Sequence, residues 1–336
     1  MNSDNFPPDS PDLSVVVPHF NQPQQLAHVL EDLLGQKSVR LEVLVVDDAS
    51  EQPCDAVVAA FQGRGLCVSL LRQPERRYTL AARLRGMGEA HGRWLAFMDA
   101  DDGICSPTAY AQAVKAADAA QTDILHFITL ADKEGQRRSW NNAMPFHNSA
   151  LRGEEIFRTW LAADCRAHSV WNKLYSRSLY QRLLSLDHHL PIFRIEDFYL
   201  TAHFLLLAQT YTPCDIAVYL YTPPAGTHLE KAAARAVDAM RMYLALPDRF
   251  TALGLPQAES RRLRTHLRKL TVLNSGRMCE FLPHTASKDG ESVGIFEPEA
   301  LQRIRRYGGA RDFFLVLAIA NASNARKLRD ILHRLL

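Results

Sequence analysis

Apolar strands alternate with helical patterns over the first 130 residues, and this alternation limits the possible folds more than any other feature. Five runs rich in branched apolar residues are typical of strands buried on both faces, at 13–18, 41–48, 67–72, 93–99 and 123–130. After the first run, Asn21 and Pro23 predict the N-cap and first turn of an amphipathic helix. The pattern predicts an α/β fold with a mostly parallel sheet and helices on both faces.

Polar residues stand where three of these strands end. Pro18 and Asn21 follow the first strand, Asp47 and Asp48 end the second, and 99–102 follows the fourth. In open α/β sheets, ligands bind beyond the carboxyl ends of the strands. We therefore expect these side chains to converge on one site.

The stretch FMDADDG, residues 97–103, places three carboxylates in four positions. Like charges this close repel, and a buried carboxylate without a partner is costly, so the cluster suggests a cation or ligand. The alternative is a helix N-cap, with Asp102 or Ser106 capping a helix that starts at Pro107. HFNQPQ stands where a Gly-rich dinucleotide loop would follow the first strand, and no P-loop lysine motif occurs. A divalent cation held by carboxylates is the natural alternative for binding a diphosphate.

The composition excludes several classes of protein. A net charge of +2 over 336 residues gives no sign of nucleic-acid binding. The six cysteines are scattered without a CxxC pair, which argues against a disulfide scaffold or structural zinc and favours a reducing, cytoplasmic location. Residues 1–11 are polar and Pro-rich, predict a flexible segment and lack the features of a signal peptide. No run reaches the roughly 20 apolar residues that span a bilayer.

Five segments occur in a characteristic order and spacing: SVVVPHFNQPQQLAHVLEDLLGQ, EVLVVDDAS, AARLRGMGEAHGRWLAFMDADDG, VWNKLYSRSLY and FRIEDFYL. Together they resemble glycosyltransferase family 2, the inverting, nucleotide-sugar-dependent transferases with the GT-A fold. The resemblance implies a GT-A domain over 12–222. Its nucleotide-binding half would lie at about 12–130 and its acceptor half at about 131–222.

The resemblance implies roles for residues on the donor side. Asp47 and Asp48 would contact the base and ribose, Pro18 and Asn21 would line the same pocket, and Arg83 would lie near the diphosphate. The family usually has Asn where Leu84 stands, and an Asn-x-Gly where this chain has PERRYT. Arg76 or Arg77, within that stretch, would supply charge in place of the missing Asn. These departures leave the donor sugar open.

The resemblance also implies the metal ligand and the base. The family's Asp-x-Asp motif falls on Asp99, which would meet the ribose or sugar, and on Asp101, which would bind Mn²⁺ or Mg²⁺. Asp197 would be the general base that takes the acceptor proton, an effect worth roughly 10²–10⁴-fold. Glu196 and Asp197 also fit a second interpretation, as acids in the first turn of a helix. Trp171, before Asn172 and Lys173, is predicted to be buried beside solvated polar neighbours or to cover the sugar or acceptor.

These residues and the resemblance together imply a metal-dependent inverting transferase of the hexosyl or N-acetylhexosaminyl type. The expected donor is a nucleotide-sugar, preferably UDP-linked, and the expected acceptor is a hydroxyl of a glycan or lipid-linked glycan in cell-surface polysaccharide biosynthesis. One alternative is a catalytically inactive nucleotide-sugar-binding or scaffold protein with the same fold. A nucleotidyltransferase would need a Gly-rich basic loop after the first strand, and PHFNQ is not one.

Strand patterns stop after residue 222, and a helical extension is predicted over 223–336. Four helices are expected within it, at 229–246, 259–282, 298–307 and 310–336. Residues 301–336 carry eight Lys and Arg against two Asp, a net charge of +6, beside an apolar stripe. Such a basic amphipathic segment packs against the protein or forms a homodimer, or else it lies peripherally on the inner face of the membrane.

Overall fold

The structure is a computed structural model that describes residues 10–133, 136–140, 143–223 and 229–280. These residues form two compact units. The first contains the described residues up to His188 and those from Glu196 to the end of the last strand. The second contains His189–Ile195 and two long helices.

The first unit is built on four parallel strands in the order β3-β2-β1-β4, namely β1 (Leu13–His19), β2 (Leu41–Asp47), β3 (Val68–Arg72) and β4 (Trp94–Phe97). Three helices connect them, α1 (Pro23–Leu34), α2 (Asp55–Gly63) and α3 (Tyr78–Gly88). Leu13 is paired with Leu41 on one side and with Trp94 on the other. This register brings the carboxyl ends of β1, β2 and β4 to the same edge of the sheet.

The sheet continues with shorter and mixed strands. The remaining elements of this unit are β5 (Gly103–Ile104), α4 (Ala109–Ala120), β6 (Ile124–Lys133), β7 (Gln136–Ser139), β8 (Leu151–Arg152), α5 (Glu154–Ala162), β9 (Lys173–Ser176), α6 (Arg177–Leu184), α7 (Glu196–Leu207) and β10 (Thr210–Tyr221). Strand β9 lies antiparallel between β4 and β6, and β10 runs parallel to β6. The short strands β5 and β8 pair antiparallel with β10, and β7 pairs antiparallel with β6.

The predicted α/β fold, a central sheet flanked by helices, is confirmed. Each of the five predicted strands is present, with ends shifted by no more than three residues. The antiparallel strands β5, β7, β8 and β9 are additions that the local pattern did not indicate. Strand β9 begins directly at Lys173, so it places the segment around Trp171 beside the central strands.

Helix α3 approaches the sheet very closely at Gly86. A Cβ atom added there would lie 2.4 Å from Val16 Cγ1 and 3.2 Å from Val46 Cγ2. Both valines are fully buried in the central strands. Gly86 therefore allows α3 to pack directly on β1 and β2, which outweighs the low helix propensity of glycine.

The predicted N-cap at Asn21 is wrong. Helix α1 begins at Pro23 with Gln22 in the N-cap position, and no side chain caps it. Asn21 has a φ of 53°, in the left-handed region that Asn tolerates. Its Oδ1 atom accepts hydrogen bonds from the backbone N–H groups of Glu51 and Gln52, at 2.8 and 3.1 Å. Asn21 thus joins the loops that follow β1 and β2.

The N-cap interpretation of the acidic cluster is also wrong. Helix α4 begins at Ala109, with Thr108 in the N-cap position and no side-chain cap. Neither Asp102 nor Ser106 provides that cap, and Asp102 hydrogen-bonds to β10 and the residue after it. The cluster therefore needs an explanation other than helix termination.

The second unit contains α8 (Leu229–Ala252) and α9 (Gln257–Glu280), which form an antiparallel pair. Ser260 Oγ donates to the Pro247 carbonyl at 2.9 Å, and Arg264 pairs with Asp248 at 2.6 Å. Within the described residues, no helix combines the length and apolar character that crossing a membrane requires. The helices predicted at 298–307 and 310–336 lie outside the described residues, so both interpretations of the basic segment stay predictions.

Candidate functional site

Arg83 of α3 joins two carboxylate groups that lie far apart in the sequence. Its side chain is only 1% exposed. One terminal nitrogen donates to Asp99 Oδ1 at 2.7 Å, and the other donates to Glu196 Oε1 at 3.2 Å and to Asp197 Oδ1. Asp99 lies just beyond β4, and the two acids begin α7. A single guanidinium thus brings the predicted donor-side and acceptor-side acids together.

The charges around Arg83 do not balance. Burial alone would lower the pKa of the guanidinium, but the three carboxylates around it outweigh burial and hold that pKa well above its ordinary value. Burial raises the pKa of Glu196 to about 7, with Arg83 opposing and Asp197 adding to the rise. Burial likewise raises the pKa of Asp99, although Arg83 opposes it. Three carboxylates share one cation, so the site is suited to a further positive charge.

The three acids of FMDADDG have different environments. Asp102 is buried, with Oδ2 accepting from the Tyr219 hydroxyl at 2.6 Å and Oδ1 accepting from the backbone N–H of Thr222 at 2.7 Å. The Tyr219 hydroxyl also accepts from the backbone N–H of Asp99 at 3.1 Å. Asp101 is exposed, and nothing among the described residues donates to its carboxylate. Asp102 therefore anchors the loop, while the carboxylate of Asp101 is exposed to solvent and receives no hydrogen bond from the described residues.

The residues present fit a hard divalent cation. Mg²⁺ is usually bound through one or two carboxylates together with water and substrate phosphates, and Mn²⁺ also suits carboxylate and water ligands. The free carboxylate of Asp101 beside an electronegative cluster meets that requirement. Among the described residues, a second group, formed by His19, Asp47 and Cys54, has its possible ligand atoms close enough together to hold a metal ion. Burial raises the pKa of the Cys54 thiol to about 11, so that thiol is poorly suited to bind a metal as thiolate.

Asp47 is completely buried at the end of β2 and already has two partners. Its Oδ1 atom lies 3.1 Å from His19 Nδ1, and its Oδ2 atom accepts from Arg72 Nε at 3.0 Å. The backbone N–H of Gln22 donates to His19 Nε2 at 3.2 Å, so Nδ1 carries the proton that Asp47 accepts. In this conformation Asp47 orients His19 and Arg72, and its contact with a nucleotide stays a prediction.

Asp48 holds the connection between β3 and α3. Its carboxylate accepts from the backbone N–H groups of Arg77 and Tyr78, at 2.7 and 2.8 Å, and from Gln73 Nε2 at 2.8 Å. Pro18 lies at the end of β1 and is half-buried. The structure thus brings Pro18, Asn21, Asp47 and Asp48 to one edge of the sheet, as expected. Their contacts with base and ribose, like the expected contact of Arg83 with the diphosphate, stay predictions.

Aromatic side chains of β10, which were not among the residues predicted from the sequence, lie beside the acidic site. Trp171 stacks on Tyr219, with ring centroids 4.3 Å apart, and lies parallel to Tyr221 at 5.5 Å. Trp171 is 5% exposed, so it is buried as expected. The spacing of two residues between Tyr219 and Tyr221 in a strand places both on one face, and this signal could have identified them.

Asn172 and Lys173 are fully buried, so the expectation of solvated neighbours for Trp171 is wrong. Lys173 Nζ donates to the Asn172 side chain and to the carbonyl oxygens of Ala167 and Ser169, at 2.5–3.0 Å. Asn172 Nδ2 in turn contacts His126 Nε2 at 2.9 Å. Burial lowers the pKa of Lys173 to about 7. Burial, with the charge of Lys173, lowers the pKa of His126 well below its ordinary value.

Comparison with known proteins agrees with this geometry. The family described as "Glycosyl transferase family 2" matches residues 14–184. The succinoglycan biosynthesis protein ExoO of Rhizobium meliloti is 36% identical over 114 residues, which cover 34% of this chain and 32% of ExoO. The chain thus matches about a third of the length of that relative. The uncharacterized glycosyltransferase YibD of Escherichia coli is 22% identical over 312 residues, 91% of this chain and 84% of YibD.

Solved structures show the same fold. TarS of S. aureus, in complex with UDP-GlcNAc, superposes with a TM-score of 0.56 at 18% identity, covering 92% of this chain and 81% of that one. The mannosyltransferase PcManGT of Pyrobaculum calidifontis, in complex with GDP-Man and Mn²⁺, gives a TM-score of 0.53 at 17% identity, covering 97% and 89%. These likenesses show a GT-A fold. Because the family match spans more than half of the 336 residues, the chain belongs to glycosyl transferase family 2.

Proposed function

We propose that this protein transfers a sugar from a nucleotide-sugar, preferably UDP-linked, to a hydroxyl of a glycan or lipid-linked glycan. The transfer would be of the hexosyl or N-acetylhexosaminyl type, metal-dependent and inverting, and would serve cell-surface polysaccharide biosynthesis. The observation that carries the proposal is the bridge through Arg83, which unites Asp99 with Asp197. Family membership and the naming of ExoO as a succinoglycan biosynthesis protein support it.

The donor side of the proposal rests on the carboxyl edge of the sheet. Asp101 would hold Mn²⁺ or Mg²⁺, which supplies charge to stabilise the departing diphosphate. The complexes of the structural neighbours with UDP-GlcNAc and with GDP-Man and Mn²⁺ support a nucleotide-sugar donor and a divalent ion. Asp99, fixed through Arg83 and Tyr219, would orient the ribose or sugar.

The acceptor side rests on Asp197. Its Oδ1 atom receives a hydrogen bond from Arg83, whereas Oδ2 has no donor among the described residues. The side chain is 23% exposed, so Oδ2 is open to a substrate. In a single displacement a base must take the hydroxyl proton while the oxygen attacks, and Asp197 Oδ2 would accept it. Arg83 would act as a positioning residue that fixes the direction of this carboxylate.

Glu196 is the other acid within reach. It shares the same nitrogen of Arg83, at 3.2 Å, and its pKa is raised to about 7, first by burial. A pKa of about 7 suits a general base, so Glu196 is the second candidate for that role. The family pattern falls on Asp197, and its side chain is more exposed than that of Glu196, 23% against 13%, so we assign the base to Asp197.

A transfer assay tests the function. The full chain is incubated with Mn²⁺, a set of UDP- and GDP-sugars and glycan acceptors, and product is followed by mass spectrometry with the anomeric configuration read by NMR. We expect an inverted product from the wild type and a loss of about 100-fold or more in Asp197→Asn, with nucleotide affinity within twofold. Asp215→Asn, at an exposed position of β10, is the control and should retain activity.

The same assay separates the alternative of an inactive binding protein. If the chain is an inactive binding protein, the wild type would bind nucleotide-sugars, but its rates of sugar transfer and of donor hydrolysis would not exceed those of Asp197→Asn. A retained anomeric configuration would instead contradict the single-displacement step while leaving the transferase assignment intact.

A further inference from the structure

Helix α9 presents a row of cations to solvent. Four basic side chains of its described part are exposed, namely Arg261, Arg262, Arg268 and Lys269. The opposite side of the helix carries Leu263 and Leu267, which are fully buried. At 3.6 residues per turn, the four cations fall within an arc of roughly 120° on the solvent side. They form one surface, which we call the α9 basic face.

The acids of the second unit whose side chains the structure describes are engaged elsewhere. Asp248 pairs with Arg264 at 2.6 Å. Asp238 is buried and accepts three backbone N–H groups of the segment before α7, and Glu259 is only 8% exposed. None of the four cations of the α9 basic face pairs with an acid among the described residues. Because the whole chain has a net charge of only +2, this local excess of positive charge is not a property of the whole sequence.

A leucine accompanies the cations. Leu273 lies one turn beyond Lys269 on the same side of α9, and at 53% it is the most exposed large apolar side chain of the described residues. The phosphates of a nucleic acid would pair with the cations but leave Leu273 in water. An anionic bilayer contacts both, because its headgroups attract Lys and Arg while the boundary of its acyl chains accepts apolar side chains. The combination favours a lipid surface.

We propose that the α9 basic face binds membranes that contain anionic phospholipids. The four cations lie among the lipid phosphates, and Leu273 enters the boundary between headgroups and acyl chains. The inference rests on charge and exposure and is independent of the proposed function. A lipid-linked glycan, one of the acceptors proposed above, would be presented at the same surface.

The test measures the partition of the full chain onto sedimenting vesicles of phosphatidylcholine, with and without phosphatidylglycerol. We expect the wild type to bind only the vesicles that contain phosphatidylglycerol, and to be released as NaCl is added, because salt screens exposed charges. In Arg261→Gln/Arg268→Gln the partition coefficient should fall at least about tenfold. In Leu273→Gln it should fall about fivefold, because the apolar contact with the bilayer is lost.

Lys115→Gln/Arg152→Gln is the matched control. It removes the same charge from exposed positions of α4 and β8 in the first unit, and it should partition as the wild type does. Every variant keeps residues 301–336, so that basic segment is present equally in all of them. The replaced side chains are exposed and Gln is a good helix former, so circular dichroism and melting temperature should show an intact fold.

Four outcomes would overturn the inference. The wild type does not bind phosphatidylglycerol vesicles, or Arg261→Gln/Arg268→Gln binds them as well as the wild type. The control variant loses as much binding as the α9 variant, which would show an effect of total charge. A short DNA duplex, titrated by fluorescence anisotropy, binds as tightly as the vesicles and Leu273→Gln changes neither affinity, which would assign the face to a nucleic acid. None of these outcomes bears on sugar transfer, which the transfer assay measures separately.

Discussion

The Tyr219 hydroxyl donates a 2.6 Å hydrogen bond to Asp102 and fixes the acidic loop to β10. The same hydroxyl accepts the backbone N–H of Asp99, so one phenol holds both ends of the Asp99–Asp102 segment. Asp101 lies between these two anchored residues and is exposed. Asp101, the proposed metal ligand, therefore lies in a short loop segment whose two ends are fixed by hydrogen bonds to Tyr219.

Replacing Tyr219 by Phe removes both hydrogen bonds while keeping the ring. Because the buried Asp102 carboxylate then loses one of its two donors, we expect the free energy of unfolding to fall by about 1.5–3 kcal/mol in urea titrations. Tyr110→Phe is the matched control, since the buried Tyr110 hydroxyl has no partner among the described residues. That control should change stability by no more than about 0.5 kcal/mol. Equal losses in both variants would refute the anchoring role.

Replacing Asp101 by Asn tests the metal site directly. In the wild type, UDP should raise the melting temperature in the presence of Mn²⁺, and EDTA should remove most of that rise because the ion bridges protein and diphosphate. In Asp101→Asn, UDP should raise the melting temperature only slightly, with or without Mn²⁺. Asp215→Asn should behave as the wild type does. A rise that EDTA leaves unchanged in the wild type would show that Asp101 does not act through a metal.

Local pattern was enough to predict the five strands of the first 130 residues and the edge of the sheet at which Asp48 and Asp99 lie. A strand that is buried on both faces is a continuous apolar run in the sequence, and the carboxyl ends of parallel strands must lie at the same edge of the sheet. The partners of these acids could not be predicted in the same way. Arg83 reaches Glu196 and Asp197 across more than 110 residues, and only tertiary packing sets that contact.

The helix caps show a second limit of local reasoning. Asn21 has the residue type of an N-cap, yet its side chain accepts hydrogen bonds from the loop after β2, because Asn also tolerates the left-handed conformation that it adopts there. Lys173 was expected to be solvated, but its ammonium group donates to the carbonyl oxygens of Ala167 and Ser169 and to the side chain of Asn172, all within its own loop. A long-range partner overrode the preference of Asn21, whereas the fold of its own loop overrode that of Lys173.

His126 should make the protein less stable in mild acid. Its pKa is held well below the ordinary value, mainly by burial, so the folded state keeps it neutral while the unfolded state takes up a proton below pH 6.5. Unfolding then binds a proton, and stability falls as the pH drops from 7 to 5, by about 2 kcal/mol for this one group.

His126→Gln isolates that contribution, because Gln stays neutral throughout and other titrating groups are unchanged. The free energy of unfolding of the variant, from urea titrations at pH 7, 6 and 5, should decline less than that of the wild type by about 2 kcal/mol. His28→Gln, at an exposed position of α1, should keep the wild-type decline. Identical declines in all three proteins would mean that His126 does not titrate differently on folding.

The two glycines at the end of α3 should respond to alanine in opposite directions. At Gly86 the new methyl group would lie 2.4 Å from Val16 Cγ1, so the helix must move off the sheet, and we expect a loss of about 1–3 kcal/mol. At Gly88 nothing lies within 4 Å of the added Cβ, and its φ is not positive. Alanine there restricts the unfolded chain and should add about 0.4–1 kcal/mol. Urea titrations of both variants measure the difference.

Since α3 carries Arg83, the Gly86 variant should also bind UDP more weakly, whereas the Gly88 variant should bind it as the wild type does. Equal stability in the two variants would show that the close approach of α3 to β1 is not what requires glycine at position 86.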